Sequence, residues 1–287
     1  MEKIKDALAK AKIENTESKS QFKAETKASS TLLQSGVVSQ KEIKSFPNTE
    51  NELGMINYLN TPVIKLDSAH LEKNRIVAQS KSDVNSYSFD SLRTQILQKM
   101  EENNWRTIAV VSPTPQSGKT LVSINLAISI AQQPQKTAIL VDFDLRRPKV
   151  AAYLGIHTEK SMNDYLQDKA QLKDVMINPG IDRLVIVPTM KPVSKSAETL
   201  SSKKVTSLIA DLRERYNSRI VIFDCPPVLN SDDAMVLLPQ VDCVLLVIAN
   251  GMSTQSEIEE TLHHLPKENL LGIVLNKAEI ESKAYYY

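Results

Sequence analysis

The sequence predicts an α/β domain built on a parallel sheet with helices on both faces, preceded by a disordered N-terminal tether. Three observations carry that expectation. Short runs rich in Val and Ile recur over 107–111, 137–143, 183–187, 219–223, 243–248 and 271–275, stretches of helical periodicity separate them, and several runs end on polar, charge-bearing residues. Strands that are apolar along their whole length must be covered on both faces, and parallel neighbours need crossover connections, which the intervening helices supply. In such a sheet ligands collect at the carboxyl ends of the strands, where loops meet helix N-termini.

With 287 residues and 41% hydrophobic side chains, the chain can bury a sizeable core. Its 35 basic and 34 acidic side chains nearly cancel, so no overall field favours an anionic membrane, and no nucleic-acid partner is expected. Cys225 and Cys243 lie inside apolar runs, far from any metal-ligand spacing, and read as buried free thiols of a reducing cytoplasm. Residues 1–12 are charged throughout and have no apolar h-region. No apolar run approaches the roughly 20 residues that cross a bilayer. A cytoplasmic protein is expected, at most peripheral to a membrane through a partner.

Three parts are expected along the chain. In 1–55, Ile4, Leu8 and Ala11 give a short amphipathic helix, and a Ser-, Thr-, Lys-, Gln- and Glu-rich stretch from Ile13 gives the tether, too polar to offset the entropy of ordering. The folded domain is expected over 56–280, its first apolar residues (Val63, Ile64, Leu66, Leu71) packing along the domain edge. Phe89, Leu92, Ile96, Leu97 and Met100 then mark one face of a helix that covers the sheet. The last part, 281–287, is a tail holding three of the chain's 8 tyrosines, Tyr285, Tyr286 and Tyr287; with nothing obvious to pack against, it should be mobile.

The first strand runs into Ser112 to Thr120, SPTPQSGKT, and a helical stretch follows at once. Strand, loop, Gly-Lys-Thr and helix is the context a P-loop requires. Backbone N–H groups of Gln116, Ser117, Gly118, Lys119 and Thr120 would form an anion nest at the positive end of the helix dipole. Gly118 lets the backbone approach phosphates, Lys119 would span the β- and γ-phosphates of ATP, and the Thr120 hydroxyl would join the shell of a Mg2+ ion. The full pattern asks for glycine where this chain has Pro113. With only 7 glycines in the chain, a glycine at a motif position carries extra weight.

The second strand ends in LVDFDLRRP, 140–148, which sets Asp142 and Asp144 two apart so that both carboxylates can face one metal–phosphate site. The pair would repel unless a cation relieved it. Read alone, this motif is equally a surface salt-bridge cluster. The fourth strand ends in Asp224 followed by Cys-Pro-Pro; an aspartate there commonly holds Mg2+ or its waters, although in isolation it is more often a strand terminator. The three together, in this order, are far more specific than any one.

These three segments resemble the Walker A, A′ and B motifs of bacterial tyrosine autokinases, and most of all the soluble kinases of exopolysaccharide operons, including those of exosortase systems. The likeness covers roughly 58–279 and extends to 1–12. It implies a P-loop ATPase fold in which Pro115, Gln116, Ser117, Gly118, Lys119, Thr120 and Leu121 bind nucleotide. Thr120, Asp144 and Asp224 then stand on the Mg2+ side. Lys119, Asp142 and Asp144 are catalytic, Asp142 as the base for the tyrosine hydroxyl. Asn276 matches the segment that reads adenine in related ATPases, with a strand-end cap as the equal alternative, and 196–198 falls where the family has a nucleotide-side loop. The tyrosine cluster, Tyr285 to Tyr287, matches the family's autophosphorylation target.

The resemblance also implies a chain-length determinant, or polysaccharide co-polymerase, membrane protein as activator. It further implies self-association for trans-phosphorylation, a counteracting tyrosine phosphatase, and a place beside the inner membrane through the activator. The helix before the P-loop departs from the family's Glu-x-x-Arg-x-x-Arg pattern, reading Tyr87, Asp90 and Arg93. Thr114 stands where Min- and Par-type positioning ATPases carry a signature lysine, which argues against that alternative. The other alternative is a nucleotide-sensing scaffold of polysaccharide export without catalysis.

Overall fold

The computed structural model describes residues 61–80, 83 and 85–278. The expected N-terminal helix and tether and the tyrosine tail lie outside the described residues. Helices α1 (Ser68–Lys73) and α2 (Ser86–Glu102) precede β1 (Thr107–Val111), and α3 (Lys119–Ala131) follows it. After β2 (Thr137–Asp142) come three short helices, α4 (Val150–Leu154), α5 (Met162–Leu166) and α6 (Leu172–Val175), and then β3 (Leu184–Val187). Helices α7 (Ser196–Leu200) and α8 (Lys203–Glu214) lead to β4 (Arg219–Asp224), followed by α9 (Asp233–Leu237), β5 (Cys243–Ala249), α10 (Gln255–His264) and β6 (Leu270–Asn276).

All six strands are parallel, in the order β3-β2-β4-β1-β5-β6. Alternation along a strand sends its side chains to two cores. From β1, Ile108 and Val110 enter one with α2 and α3, while Ala109 and Val111 enter the other with α8 and α9. Both layers exclude water, and every residue of β1, β2 and β5 is buried. The P-loop fold expected from the motifs is therefore the fold observed.

The predicted stripe on α2 faces inward: Ile96 and Met100 are buried, and Phe89, Leu92 and Leu97 pack against them. Of the edge segment, Leu71 is buried and Ile64 donates its N–H to Asn178 O at 2.8 Å, whereas Val63 is 61% exposed. Asn125, inside the buried α3, fastens the preceding chain: its Oδ1 accepts from the N–H groups of Val77 and Ala78. Arg93 is spent within the chain. Its Nη1 donates to Asp90 Oδ1 at 2.8 Å and to Ser129 Oγ at 3.1 Å, tying α2 to α3, while Tyr87 stands 67% exposed on the same helix. Cys225 and Cys243 are free, buried thiols, as expected. Among the described residues, no helix is long and apolar enough to cross a membrane.

Candidate nucleotide and phosphoryl-transfer site

Strand order and register bring the three motifs together. Strand β4 lies between β2 and β1, and Asp224 pairs with Asp142 across one ladder and with Val110 across the other. Two carboxylates from separate motifs thus start from adjacent backbones, and the loop after β1 rises beside them.

That loop reverses through two left-handed residues, Gln116 at φ 66° and Gly118 at φ 91°, and α3 begins at Lys119. Position 113, where the full pattern has glycine, has no positive φ, so a proline fits it. Its carbonyl accepts from Leu229 N–H and that of Ser112 from Val228 N–H, at 3.1 and 2.9 Å, docking the loop onto the turn after β4. Ser112 Oγ and Ser117 Oγ both donate to Thr114 O. The P-loop is preformed by its own polar atoms.

Gly118 is required for space as well as for its backbone angle. A Cβ there would lie 2.0 Å from Asn276 Nδ2, which crosses the loop to donate to Ser117 O at 2.9 Å. Asn276 therefore uses one of its donors to pin the P-loop. Gly118→Ala is expected to weaken Mg-ADP binding at least about tenfold, since left-handed backbone strain alone costs ~1–2 kcal/mol. Titration calorimetry would show it. Adding Asn276→Ala should relieve the collision and leave the loss due to φ.

Four ionisable side chains converge below the loop. Lys119 Nζ lies 2.8 Å from Asp144 Oδ2 and 3.8 Å from Asp224 Oδ1. Thr120 Oγ1 donates to Asp224 Oδ2 at 2.7 Å and Ser123 Oγ donates to Asp224 Oδ1 at 3.2 Å. Asp142 Oδ2 accepts from the N–H groups of Lys149 and Val150, both at 3.0 Å, and its Oδ1 accepts from Asp144 N–H at 3.2 Å. Lys119 and Asp144 retain slight exposure, whereas Asp142 and Asp224 have none.

Burial shapes the charges. Desolvation opposes the Lys119 ammonium, but Asp224 and Asp144 outweigh it and hold its pKa above the ordinary lysine value. Burial pushes Asp142 well above the usual carboxylate range, reinforced by the charge of Asp224 and opposed by the Val150 N–H. Burial likewise raises Asp224, against the pull of Lys119 and the Thr120 hydroxyl. These are acids held at a cost to the fold, which is the pattern of functional sites.

The residues present suit Mg-ATP. Gln116, Gly118, Lys119 and Thr120 line an open cleft of about 1450 Å3 together with Asp144 and Asn276. Among the described residues, no three His, Cys, Asp or Glu side chains form a group that could hold a metal ion. Mg2+ commonly takes most of its oxygens from phosphate and water, and a hydroxyl beside a carboxylate, Thr120 on Asp224, matches that demand.

Two features were not foreseen. Ser123, one helical turn beyond Lys119, is a second hydroxyl on Asp224; a serine among the apolar residues of a buried helix was the available signal. Arg146 anchors the loop after β2: its Nε and Nη2 grip the fully buried Asp233 at 3.1 and 3.0 Å, and Nε also donates to Ser196 Oγ at 2.9 Å. Residues 196–198, expected on the nucleotide side, instead border a separate hollow of about 420 Å3 with Arg146, because these hydrogen bonds draw Ser196 toward α9.

Known proteins resemble this chain in sequence and in fold. The family model described as an AAA domain matches residues 105–270. Tyrosine-protein kinase YwqD of Bacillus subtilis is 27% identical over 221 residues, covering 76% of this chain and 92% of that protein. Tyrosine-protein kinase ptk of Acinetobacter johnsonii is 28% identical over 253 residues; the match covers 85% of this chain but 34% of that protein, so the chain spans about a third of that longer relative. Among solved structures, the kinase domain of Escherichia coli tyrosine kinase ETK superposes with a TM-score of 0.66 at 28% identity, over 79% of this chain and 92% of that domain.

Proposed function

The chain belongs to the AAA-domain family and groups with the bacterial tyrosine-protein kinases, and from that premise we propose that it transfers the γ-phosphoryl group of ATP to tyrosine hydroxyls, its own Tyr285, Tyr286 and Tyr287 among them. The observation that carries the reading is the convergence of Lys119, Thr120 and the carboxylates of Asp142, Asp144 and Asp224 beneath a preformed P-loop, with Asp144 lining the cleft.

In the reaction the acceptor Oη bonds the γ-phosphorus as the bond to the ADP oxygen breaks, and the phenolic proton must leave. The amides of 116–120 and Lys119 bind and orient the phosphates and neutralise charge that develops on them, which is the larger share of the acceleration. Thr120, Asp144 and Asp224 would hold Mg2+ from the chain's side, and the ion would supply further neutralisation of the phosphate oxygens. Asp142 takes the proton in this proposal. Its carboxylate faces Lys149 and Val150 N–H groups and has no exposed surface, so the role requires the 144–149 segment to move as the acceptor enters. Catalysis in trans needs self-association. With Arg93 engaged inside the chain, that contact would not rest on this arginine.

The three-part organisation belongs to the same proposal: an amphipathic helix with a tether over 1–55, a catalytic domain over 56–280 and a tyrosine-bearing tail over 281–287. An exopolysaccharide role, regulating polymerisation or export under a membrane co-polymerase and reversed by a tyrosine phosphatase, belongs to the same proposal, as does a cytoplasmic site beside the inner membrane. Intact-mass analysis after Mg-ATP incubation tests the core of it. Steps of one phosphate are expected, and they should vanish when Tyr285, Tyr286 and Tyr287 are all changed to Phe. ATP turnover without any gain in mass would favour a positioning ATPase, and nucleotide binding with neither would favour a scaffold.

A further inference from the structure

The cleft that holds Lys119 is strongly basic although the chain as a whole carries only +1: seven Lys or Arg side chains line it against three Asp or Glu. Lys119 and Arg146 are engaged by carboxylates. Arg147 and Lys149 are exposed, and among the described residues neither side chain has a hydrogen-bond or ion-pair partner. Their backbones, by contrast, are hydrogen-bonded to the acids of the site before an acceptor enters. Arg147 N–H donates to Asp144 Oδ1 at 3.0 Å and Lys149 N–H to Asp142 Oδ2 at 3.0 Å, with Pro148 between them limiting φ. The two free cations therefore extend from the backbone that wraps the acids of the transfer site, and they line the same cleft as Asp144.

The nucleotide does not account for them. Its phosphates would be answered by the P-loop amides, by Lys119 and by Mg2+. What does call for a second anion site is the acceptor. Tyr285, Tyr286 and Tyr287 are consecutive, so after one transfer a phosphate of charge about −1.5 to −2 sits one or two residues from the next hydroxyl. Brought unneutralised beside Asp144 and an incoming triphosphate, that phosphate would repel both.

We propose that Arg147 and Lys149 form a phosphotyrosine-binding subsite that seats an already modified tyrosine while its neighbour is phosphorylated, making the first phosphate a primer for the rest. This rests on the tyrosine-kinase reading and adds a substrate class to it: an acceptor carrying a phosphomonoester beside the reacting tyrosine. Arg in a bidentate pose and Lys as a point charge are suited to such a dianion.

The test uses full-length protein with Mg-ADP and fluorescein-labelled peptides of the sequence SKAYYY, unmodified, with phosphate on the middle tyrosine, or with Glu in that place. Fluorescence anisotropy should show the phosphopeptide binding at least tenfold tighter than the unmodified one, and the Glu peptide falling between. In Arg147→Gln/Lys149→Gln the preference should disappear while affinity for Mg-ADP and Tm are retained. Mass analysis of the autophosphorylated double variant should then show singly modified chains accumulating where the unaltered protein passes to two or three. Equal affinity for modified and unmodified peptides, or a preference that survives in the double variant, overturns the subsite. Binding does not depend on transfer, so a chain that transfers phosphate without the preference refutes the subsite alone, and one that never gains phosphate refutes the kinase reading.

Discussion

Lys119→Met is expected to lower phosphoryl transfer by about 10³-fold or more, as the loss of a charged group aimed at the transferring phosphoryl group generally does. Among the described residues, no other cation stands so close to both Asp144 and Asp224. Intact mass against time in Mg-ATP reads the effect directly. The substitution also strands two acids. Removing one partner of a buried pair costs up to about 3–5 kcal/mol, and Asp224, already raised by burial, offsets part of that by taking up a proton. The variant should therefore melt at lower temperature, with the deficit larger at pH 8 than at pH 6. Lys119→Met/Asp144→Asn separates the two consequences: it should recover part of the melting temperature and none of the transfer. Recovery of transfer would mean that Lys119 serves the fold and not the phosphates. Lys119→Arg keeps the charge but replaces a compact ammonium by a planar fork in a site closed on several sides, and should remain largely inactive.

The dependence of that result on Asp224 shows where sequence reasoning succeeded and where it stopped. Local signals were sufficient for the strands: four apolar residues in a row, Ile108 to Val111, cannot be half-exposed, and β1 (Thr107–Val111) contains them. They were sufficient for the P-loop as well, because strand, tight loop and helix are contiguous. Strand order was not legible. That β4 inserts between β2 and β1, so that Asp142 and Asp224 become register partners, is a non-local outcome of packing helices on two faces. The short helices over 150–175 were missed for a related reason: four- and five-residue helices carry too little periodicity to register, and they persist through caps such as Ser161 with Asp164 and through burial of Val150, Leu154 and Met162. Arg146 illustrates the same limit. In sequence it is one of two adjacent arginines; in the fold it grips Asp233, 87 positions away, while Arg147 stays free.

Asp142→Asn is the substitution for which stability and activity should move in opposite directions. In the folded protein the Asp142 carboxyl has a pKa well above the ordinary value of 3.8, because burial and the neighbouring Asp224 disfavour its charge. Between those two values the folded state binds more protons than the unfolded one, so this group's contribution to stability falls as pH rises through the window. Asparagine does not titrate. Its carbonyl can still accept from Lys149 and Val150 N–H, although its NH2 would face the Asp144 N–H that Oδ1 now receives. The variant should match the unaltered protein near pH 4 and exceed it at pH 7–8 by roughly 1 kcal/mol, about 2–4 °C in Tm for a domain of this size. Calorimetry at the two pH values reads the difference, and an offset independent of pH would mean that the carboxyl is not perturbed as the burial implies. If Asp142 also accepts the tyrosine proton, transfer should fall by about 10²-fold or more. Mg-ADP affinity should be unchanged, since the P-loop contacts stay intact. A variant that gains stability and keeps its transfer rate would assign Asp142 to anchoring the 144–149 segment, and the proton would then have to leave by way of Asp144, the carboxylate that reaches the cleft.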